Sequence, residues 1–265
     1  MPDPLVLIDM DDRGIASVTL NRPEVNNAYN SDMIQALLDG VAKLALDDSV
    51  RIIILRGNGQ HFQAGADLKW VLEVSTQSSE RNLSISKLIS DAVRFLDSCP
   101  KPTIAIVQGG CFGGGTGLIA ACDIVIASRD SIFSISEVRW GLHAGPILPQ
   151  LCAAMGVQNL RRFAITGERF DSLQAHKMGL VHEVCEDGKL DEIAKLIIEN
   201  ILMNGPNGIA DTKRILLEIA ELAIDDEKHL ELVRDHARKR QTDEALEGLA
   251  SFREKRDASW YPRIR

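Results

Sequence analysis

The sequence predicts a mixed α/β fold that continues into a helical C-terminal region, and two observations support this class. Over residues 4 to about 200, short apolar runs of β-like character alternate with helix-like segments. Beyond about residue 206 the pattern becomes all-helical, and the Asn-Gly-Pro-Asn-Gly segment at 204–208 is the one clear break. We therefore expect a core over residues 1–204 and a helical region over residues 205–265.

The elements of the core follow from local composition and periodicity. Asn30 or Ser31 is a candidate cap for the first long helix, because the apolar residues that follow repeat at helical spacing. That apolar face comprises Met33, Ile34, Leu37, Leu38, Val41 and Leu44. The strand candidates are 5–9, 15–20, 51–56, 103–108, 123–127 and 181–185. The C-terminal helix candidates are 208–223, 226–240 and 243–256.

Length and composition are those of a globular protein. The 265 residues are 45% hydrophobic and 26% charged, as in globular proteins generally. No apolar run approaches the ~20 residues that a membrane span needs, so we expect no membrane partner. The N-terminus shows no secretory pattern, and the five cysteines form an odd set without a C-x-x-C pair. These features favour a cytoplasmic protein with reduced core cysteines and no metal site.

The charge balance bears on the choice of partner. A net charge of −8 argues against nucleic acid as the main partner, since phosphate backbones are bound by basic surfaces. A basic cluster does occupy residues 234–240, and a solvated helix face is its favoured interpretation. A small anionic ligand remains compatible, because it needs only a local positive patch.

A glycine-rich segment over residues 108–117 is the most informative local feature. The strand candidate 103–108 leads into it, and residues 118–122 look like the opening of a buried helix. A glycine turn lets a ligand approach bare backbone, and a helix N-terminus offers unpaired N–H groups. The segment therefore predicts a site for an anion, or for an oxygen that becomes one. Close helix–sheet packing is the alternative explanation for its small residues.

The same segment formally fits a dinucleotide-binding pattern, Gly115-x-Gly117-x-x-Ala120. Seven residues separate Val107 from Gly115, whereas the dinucleotide turn comes directly off its strand. We therefore disfavour a dinucleotide cofactor. A nucleoside triphosphate is also disfavoured, because the chain has no G-x-x-x-x-G-K-[ST] motif.

A second small-residue turn follows the strand candidate 51–56. The loop after that strand ends in Ala64-Gly65-Ala66, and Asp67 comes next. Two turns of this kind can aim two backbone N–H groups at one oxygen, which is the arrangement of an oxyanion hole. The alternative for Ala66 and Asp67 is an ordinary turn that leads into a capped helix.

The candidate acid–base group is Glu137, which lies among Ile135, Val138 and Trp140 in the sequence. Burial among such neighbours raises the pKa of a carboxyl group towards the range that is useful for general acid–base catalysis. The alternative is a solvated surface glutamate.

Read together, these segments resemble the crotonase family, the enoyl-CoA hydratase/isomerase superfamily, over nearly the whole chain. The resemblance implies a spiral of β-β-α turns with a helical C-terminal region that packs into trimers, often paired as hexamers. The segments that carry the resemblance are Val18 to Pro23, Asn27-Ala28, His61 to Leu68, Lys101-Pro102, Phe112 to Gly115, Cys122 to Ile124, Ser136-Glu137, Thr166-Gly167, Ala175 to Val181 and Phe252 to Arg256.

The resemblance also implies a role for each site residue. Glu137 is the catalytic group, and the N–H groups of Ala66 and Gly114 form the oxyanion hole for a thioester oxygen. Gly145 matches a backbone position that helps to hold water. CoA is part of the substrate, so no separate cofactor is implied. The positions that match CoA contacts are Ala64, Asp67, Leu68, Phe252 and Lys255.

One position departs from the family pattern. Two-carboxylate hydratases of this family carry a first glutamate two residues after the triple glycine, where this chain has Gly117. Glu137 must then serve as base and acid in turn, or a second group such as His143 must assist. The segments around 112–119 and 136–142 look like bacterial methylglutaconyl-CoA hydratases, which also lack that glutamate. This favours hydration of a branched enoyl-CoA and a place in leucine degradation.

Two other functions stay open. A Δ3-Δ2-enoyl-CoA isomerase needs only one glutamate, and a non-catalytic CoA- or RNA-binding member needs none. If the substrate has a distal carboxylate, we expect Gly117 to leave room for it and Arg139 or His143 to meet it. We also expect the tail to bury its apolar face in a homotrimer or hexamer. The residues of that face are Ile209, Leu216, Ile219 and Ala223.

Overall fold

The computed structural model describes residues 3–186, 188–219 and 225–259, and its described strands form two sheets. A six-stranded sheet has the order β1-β2-β3-β4-β6-β9, and a three-stranded sheet has the order β5-β7-β8. The strands are β1 (Val6–Met10), β2 (Ile15–Leu20), β3 (Ile52–Gly57), β4 (Thr103–Val107), β5 (Gly110–Phe112), β6 (Ile124–Ser128), β7 (Ile132–Ser134), β8 (Arg169–Asp171) and β9 (Glu183–Cys185).

The larger sheet is parallel except at one edge. β1 pairs antiparallel with β2, and every later pair in that sheet is parallel. Every residue of β4 is buried, as are the four aliphatic residues that open β3. A parallel sheet is covered on both faces, which is why these strands read as continuous apolar runs rather than as alternating ones.

Eleven α-helices surround the sheets in the described part of the chain. The first begins after Asn30, whose side chain accepts a hydrogen bond from the Met33 amide, so Asn30 rather than Ser31 is the cap. The helices are α1 (Ser31–Leu46), α2 (Leu68–Ser75), α3 (Ser79–Asp97), α4 (Gly114–Ala120), α5 (Leu148–Met155), α6 (Val157–Thr166), α7 (Ser172–Lys177), α8 (Leu190–Leu202), α9 (Pro206–Ile219), α10 (Asp226–Lys239) and α11 (Asp243–Glu254).

The two last helices fold back onto their own chain. α10 packs along α3, and α11 packs against α2. Val233 and Ala237 of α10 are buried there, as are Ala245 and Leu249 of α11. The C-terminal region therefore closes over the segments that follow β3. Across the described residues, no helix combines the length and the apolar character that crossing a bilayer requires.

All six predicted strands exist, with ends that differ by at most two residues. The predicted tail helices also exist: α9 begins two residues before the predicted start, and α10 and α11 begin as predicted. Residues 220–224, which include Ala223, lie outside the described residues. The short strands of the second sheet and the long helix α3 were not predicted.

Candidate active site

The candidate site is built on two loops that meet beside the second sheet. The loop after β3 and the loop that carries β5 run side by side like paired strands. The Gln63 amide donates to the Gly110 carbonyl at 3.1 Å, and the Phe112 amide donates to the Gln63 carbonyl at 2.9 Å. The two small-residue turns of the sequence are therefore neighbours in space.

Two glycines allow this close approach. Gly65 has a φ of +85°, and a Cβ there would lie 3.1 Å from the Phe112 carbonyl oxygen. Gly113 has a φ of +50°, and a Cβ there would lie 3.1 Å from Glu137 Oε1. Side chains rarely adopt such φ values, so both positions require glycine on conformational and steric grounds.

Each turn leaves one N–H group without a hydrogen-bond acceptor among the described residues. Helix α4 begins at Gly114, inside the glycine run, and not at Leu118 as the sequence indicated. The Gly114 N–H, in the first turn, has no acceptor within the helix. The Ala66 N–H points away from the bridge in which Tyr29 pairs with the flanking residues. Gly114 and Ala66 both line one cavity.

Glu137 lines the same cavity and lies beside Gly113 of the glycine turn. It opens a single 3-10 turn, Glu137–Trp140, that ends at Gly141 in the left-handed conformation. Its Oε2 atom is buried and has no hydrogen-bond partner among the described residues. Burial raises the pKa of this carboxyl to about 7, in the direction that its apolar neighbours predict. A carboxyl group with this pKa can both take and give a proton near neutral pH.

The cavity has a volume of 390 Å³, within the range of small-molecule sites. Among its described lining residues, Glu137 is the one carboxylate. The structure brings five of the residues predicted for the site into this lining. They are Ala64, Ala66, Leu68, Gly114 and Glu137.

Asp67 and Gly145 do not line the cavity. The Asp67 side chain accepts from the Lys69 amide at the start of α2 and pairs with Arg22 at 3.3 Å. The capped-helix alternative therefore describes this side chain. The Gly145 amide donates to His143 Nδ1 at 3.0 Å, so it is already engaged.

Phe252 and Lys255 are not among the described residues that line the cavity. Phe252 packs edge-to-face on Trp140, which does line the cavity, with ring centroids 5.3 Å apart. Lys255 follows α11 in an exposed left-handed position.

The expected room at Gly117 does not exist. A Cβ at Gly117 would lie 2.2 Å from Ile147 Cγ2 and 2.5 Å from Ile147 Cβ. Ile147 is buried and lines the cavity, so an isoleucine fills the space beside Gly117. The position lacks a carboxylate because its surroundings are apolar and closed, and the prediction of a vacancy there is wrong.

The predicted cations also differ from those observed. Arg139 lines the cavity but is exposed, and its Nε donates to the Gly167 carbonyl at 3.0 Å. His143 is not among the lining residues, and burial lowers its pKa. The buried cationic side chain of the lining is Arg240, which with His236 comes from α10.

The interpretation of 234–240 as a solvated face is therefore only partly right. Arg238 is 76% exposed in its side chain, whereas Arg240 is 3% exposed. The inward turn of His236 and Arg240 was detectable in the sequence, since both lie on the helical face of the apolar residues Val233 and Ala237.

Comparison with known proteins places the chain in a family. Residues 11–263 match the family model described as enoyl-CoA hydratase/isomerase. The chain belongs to this family, and it is an enzyme of the crotonase superfamily. The predicted class, an α/β crotonase-like spiral core with a helical C-terminal region, is confirmed.

Similar proteins match most of the length of this chain. An enoyl-CoA hydratase from Shewanella pealeana is 34% identical, with a TM-score of 0.79 over 97% of this chain and 96% of its own. The peroxisomal Δ(3,5)-Δ(2,4)-dienoyl-CoA isomerase of Arabidopsis thaliana is 34% identical over 81% of each chain. The hydroxycinnamoyl-CoA hydratase-lyase of Pseudomonas fluorescens is 33% identical over 76% of this chain and 74% of its own. The family thus includes both hydratases and isomerases.

Proposed function

We propose that this protein adds water across the double bond of an enoyl-CoA thioester, with Glu137 as its acid–base group. The observation that carries the proposal is the single carboxylate of the described cavity lining, buried and unpaired, beside two unpaired backbone donors. A branched substrate such as 3-methylglutaconyl-CoA is the favoured one, because the segments around Gly117 and Glu137 look like those of methylglutaconyl-CoA hydratases.

In this proposal the two donors bind the thioester oxygen. Addition of water at Cβ places negative charge on that oxygen, and the N–H groups of Ala66 and Gly114 stabilise it. Each donor contributes roughly 3 kcal/mol to lowering the barrier, by comparison with other oxyanion holes. Both donors are fixed by their turns, so little reorganisation is needed when the charge develops.

Glu137 carries out both proton transfers. Its carboxylate takes a proton from water while the water oxygen bonds to Cβ, and the electrons of the double bond pass to the thioester oxygen as an enolate. The protonated Glu137 then returns the proton to Cα, and the enolate collapses to the thioester. Because one group serves both steps, hydroxyl and proton enter on the same face of the double bond.

CoA lies on the backbone after β3 in this proposal. The Ala64 amide donates to the Asn26 carbonyl and the Asp67 amide donates to the Tyr29 carbonyl, both at 2.9 Å. Ala64 therefore offers its carbonyl oxygen rather than its N–H group to a ligand, whereas the Asp67 carbonyl already accepts from the Val71 amide at 2.9 Å. Leu68 adds apolar surface at the cavity wall. CoA enters as part of the substrate, and no separate cofactor is proposed.

Isomerisation is the second candidate, and the same observation favours it. A Δ3-Δ2-enoyl-CoA isomerase needs one group that removes a proton at C2 and returns it at C4, which a single Glu137 can do. The 34%-identical dienoyl-CoA isomerase shows that the family includes double-bond shifts.

The test is a panel of three thioesters: crotonyl-CoA, 3-methylglutaconyl-CoA and a cis-3-enoyl-CoA. We expect the fastest reaction with 3-methylglutaconyl-CoA, and a product heavier by one water. A reaction confined to the cis-3-enoyl-CoA, without a change of mass, would establish the isomerase instead. Binding of all three without turnover would establish a non-catalytic member.

The pH dependence of kcat/KM follows from the pKa of Glu137. The free enzyme needs this group deprotonated, and burial raises its pKa to about 7. We therefore expect kcat/KM to rise with pH between about 6 and 8, with a midpoint near 7, as the base becomes ionised. A rate that stays constant over this interval, measured with substrate well below KM, would show that another group is the base.

We also propose that the chain assembles as a homotrimer or hexamer through its outer helices. Apolar side chains directly after α8 and within α9 are exposed in the single chain: Met203 is 77% exposed and Leu216 is 62% exposed. Sedimentation equilibrium should give the mass of three or six chains, and Leu216→Asp should shift it towards one. A wild-type monomer at micromolar concentration would contradict this proposal.

A further inference from the structure

A buried cation without a carboxylate partner lies in the cavity wall. Arg240, at the end of α10, is 3% exposed. Its guanidinium donates to the Asn82 side chain at 3.1 Å, to the Asn82 carbonyl at 2.6 Å and to Ser86 Oγ at 2.8 Å. Its Nη1 atom lies 3.1 Å from His236 Nδ1. No aspartate or glutamate of the described residues pairs with this charge.

His236 extends the same donor group. Arginine can only donate, so His236 Nδ1 accepts and the histidine proton lies on Nε2. Burial and the Arg240 charge hold the pKa of His236 well below its ordinary value, so the ring is neutral. Its Nε2–H has no acceptor among the described residues, and one N–H of Arg240 Nη1 is also uncommitted. Both side chains line the cavity.

Tyr29 shows where this pair lies relative to the chemistry. Its ring packs on the oxyanion turn, since a Cβ at Gly114 would lie 2.5 Å from a ring carbon. The pKa of the Tyr29 phenol is raised by burial and by the Glu137 charge, and Arg240 acts in the opposite direction. Tyr29 is therefore close enough to both groups to respond to their charges. Glu137, Tyr29 and Arg240 all line the same cavity.

An unpaired buried cation is costly, and proteins seldom keep one without a partner. Asn82, Ser86 and His236 accept four of its five N–H groups but leave its charge uncompensated. The phosphates of CoA are not suitable partners, because Arg240 is too deeply buried for that bulky group. A small anion at the end of an acyl chain is suitable.

We propose that Arg240, assisted by His236, binds a carboxylate at the far end of the acyl chain, so that the substrates of this site are CoA thioesters of dicarboxylic acids. This inference rests on the proposed function for the position of the thioester, and it replaces Arg139 and His143 as the expected partners. A charge-assisted bond to this buried pair favours the carboxylate over a methyl group by about 10-fold or more in affinity.

The test compares binding of glutaryl-CoA and valeryl-CoA, which have acyl chains of equal length that end in a carboxylate and in a methyl group. Both are saturated and cannot be hydrated, so titration calorimetry measures their binding to the cavity even if the proposed hydration is wrong. We expect wild type to bind glutaryl-CoA about 10-fold or more tighter than valeryl-CoA. Arg240→Gln should bring the two affinities to within about 2-fold of each other, mainly by weakening glutaryl-CoA.

Arg238→Gln is the matched control, because it removes an exposed arginine of the same helix and should keep the preference. Circular dichroism and thermal melting check that each variant is folded. Equal affinities in wild type, or tighter binding of valeryl-CoA, would overturn the proposal whether or not Arg240→Gln folds. A folded Arg240→Gln that keeps the preference would also overturn it, and loss of the preference in Arg139→Gln alone would assign the role to that residue.

Discussion

We expect Glu137→Gln to abolish turnover. The loss in kcat/KM should exceed the ~10²–10⁴-fold that is typical of removing one acid–base group. The amide keeps the shape of the carboxyl group but can neither accept the proton from water nor return it to Cα. No second carboxylate of the described cavity lining can take over. Steady-state kinetics with the best thioester of the panel gives the loss in kcat/KM.

The matched control is Glu73→Gln, the same chemical change at an exposed position of α2. It should keep wild-type rates. Glu137→Gln should still bind saturated butyryl-CoA with near-normal affinity, because the oxyanion donors and the CoA contacts are backbone groups outside residue 137. Turnover within about 10-fold of wild type in Glu137→Gln would show that another residue moves the protons.

Gly117→Glu has the second large effect, and it acts on folding. The new Cβ would meet Ile147 Cγ2 and Cβ at 2.2 and 2.5 Å, and the carboxyl would enter an apolar buried region. Overpacking and an unpaired buried carboxyl together destabilise by about 4 kcal/mol or more. For a chain of this size that lowers the melting temperature by roughly 10 °C or prevents folding.

Gly208→Glu provides the control for this substitution. Gly208 lies in α9 with no atom within 4 Å of a Cβ placed there, so the same change meets no obstacle. Its melting temperature should equal that of wild type or exceed it slightly, because glutamate is the better helix former. A Gly117→Glu variant with the wild-type melting temperature would mean that Ile147 moves aside, and that space for a second carboxylate can open.

The sequence predicted the strands and the two small-residue turns because their signals are local. The runs at 15–20 and 103–108 are rich in aliphatic and β-branched residues, and the glycine turn after the second run has few alternative structures. Glu137 was found through its apolar neighbours and the family motif. The short strands of the second sheet escaped prediction, because three residues carry too little pattern to separate a strand from a loop.

What the sequence could not show was which side chains meet across distant segments. The fit of Ile147 against Gly117 depends on how the turn before α5 approaches α4, thirty residues earlier. Arg240 reaches the cavity because α10 packs along α3, which brings it to Asn82, 158 residues earlier in the chain. The sequence did carry a signal for this contact, since His236 and Arg240 of the basic cluster lie on the apolar face of their helix. The many charged residues of the same segment favoured a solvated face instead.

The central claim is that the site around Glu137 adds water to an enoyl-CoA. A reaction of 3-methylglutaconyl-CoA with wild type in heavy water, followed by mass spectrometry after return to ordinary water, tests it most directly. We predict a product that has gained one water and keeps one deuterium on Cα, because the proton that Glu137 delivers comes from solvent. A product of unchanged connectivity except for a shifted double bond, with no gain of water, would contradict the claim.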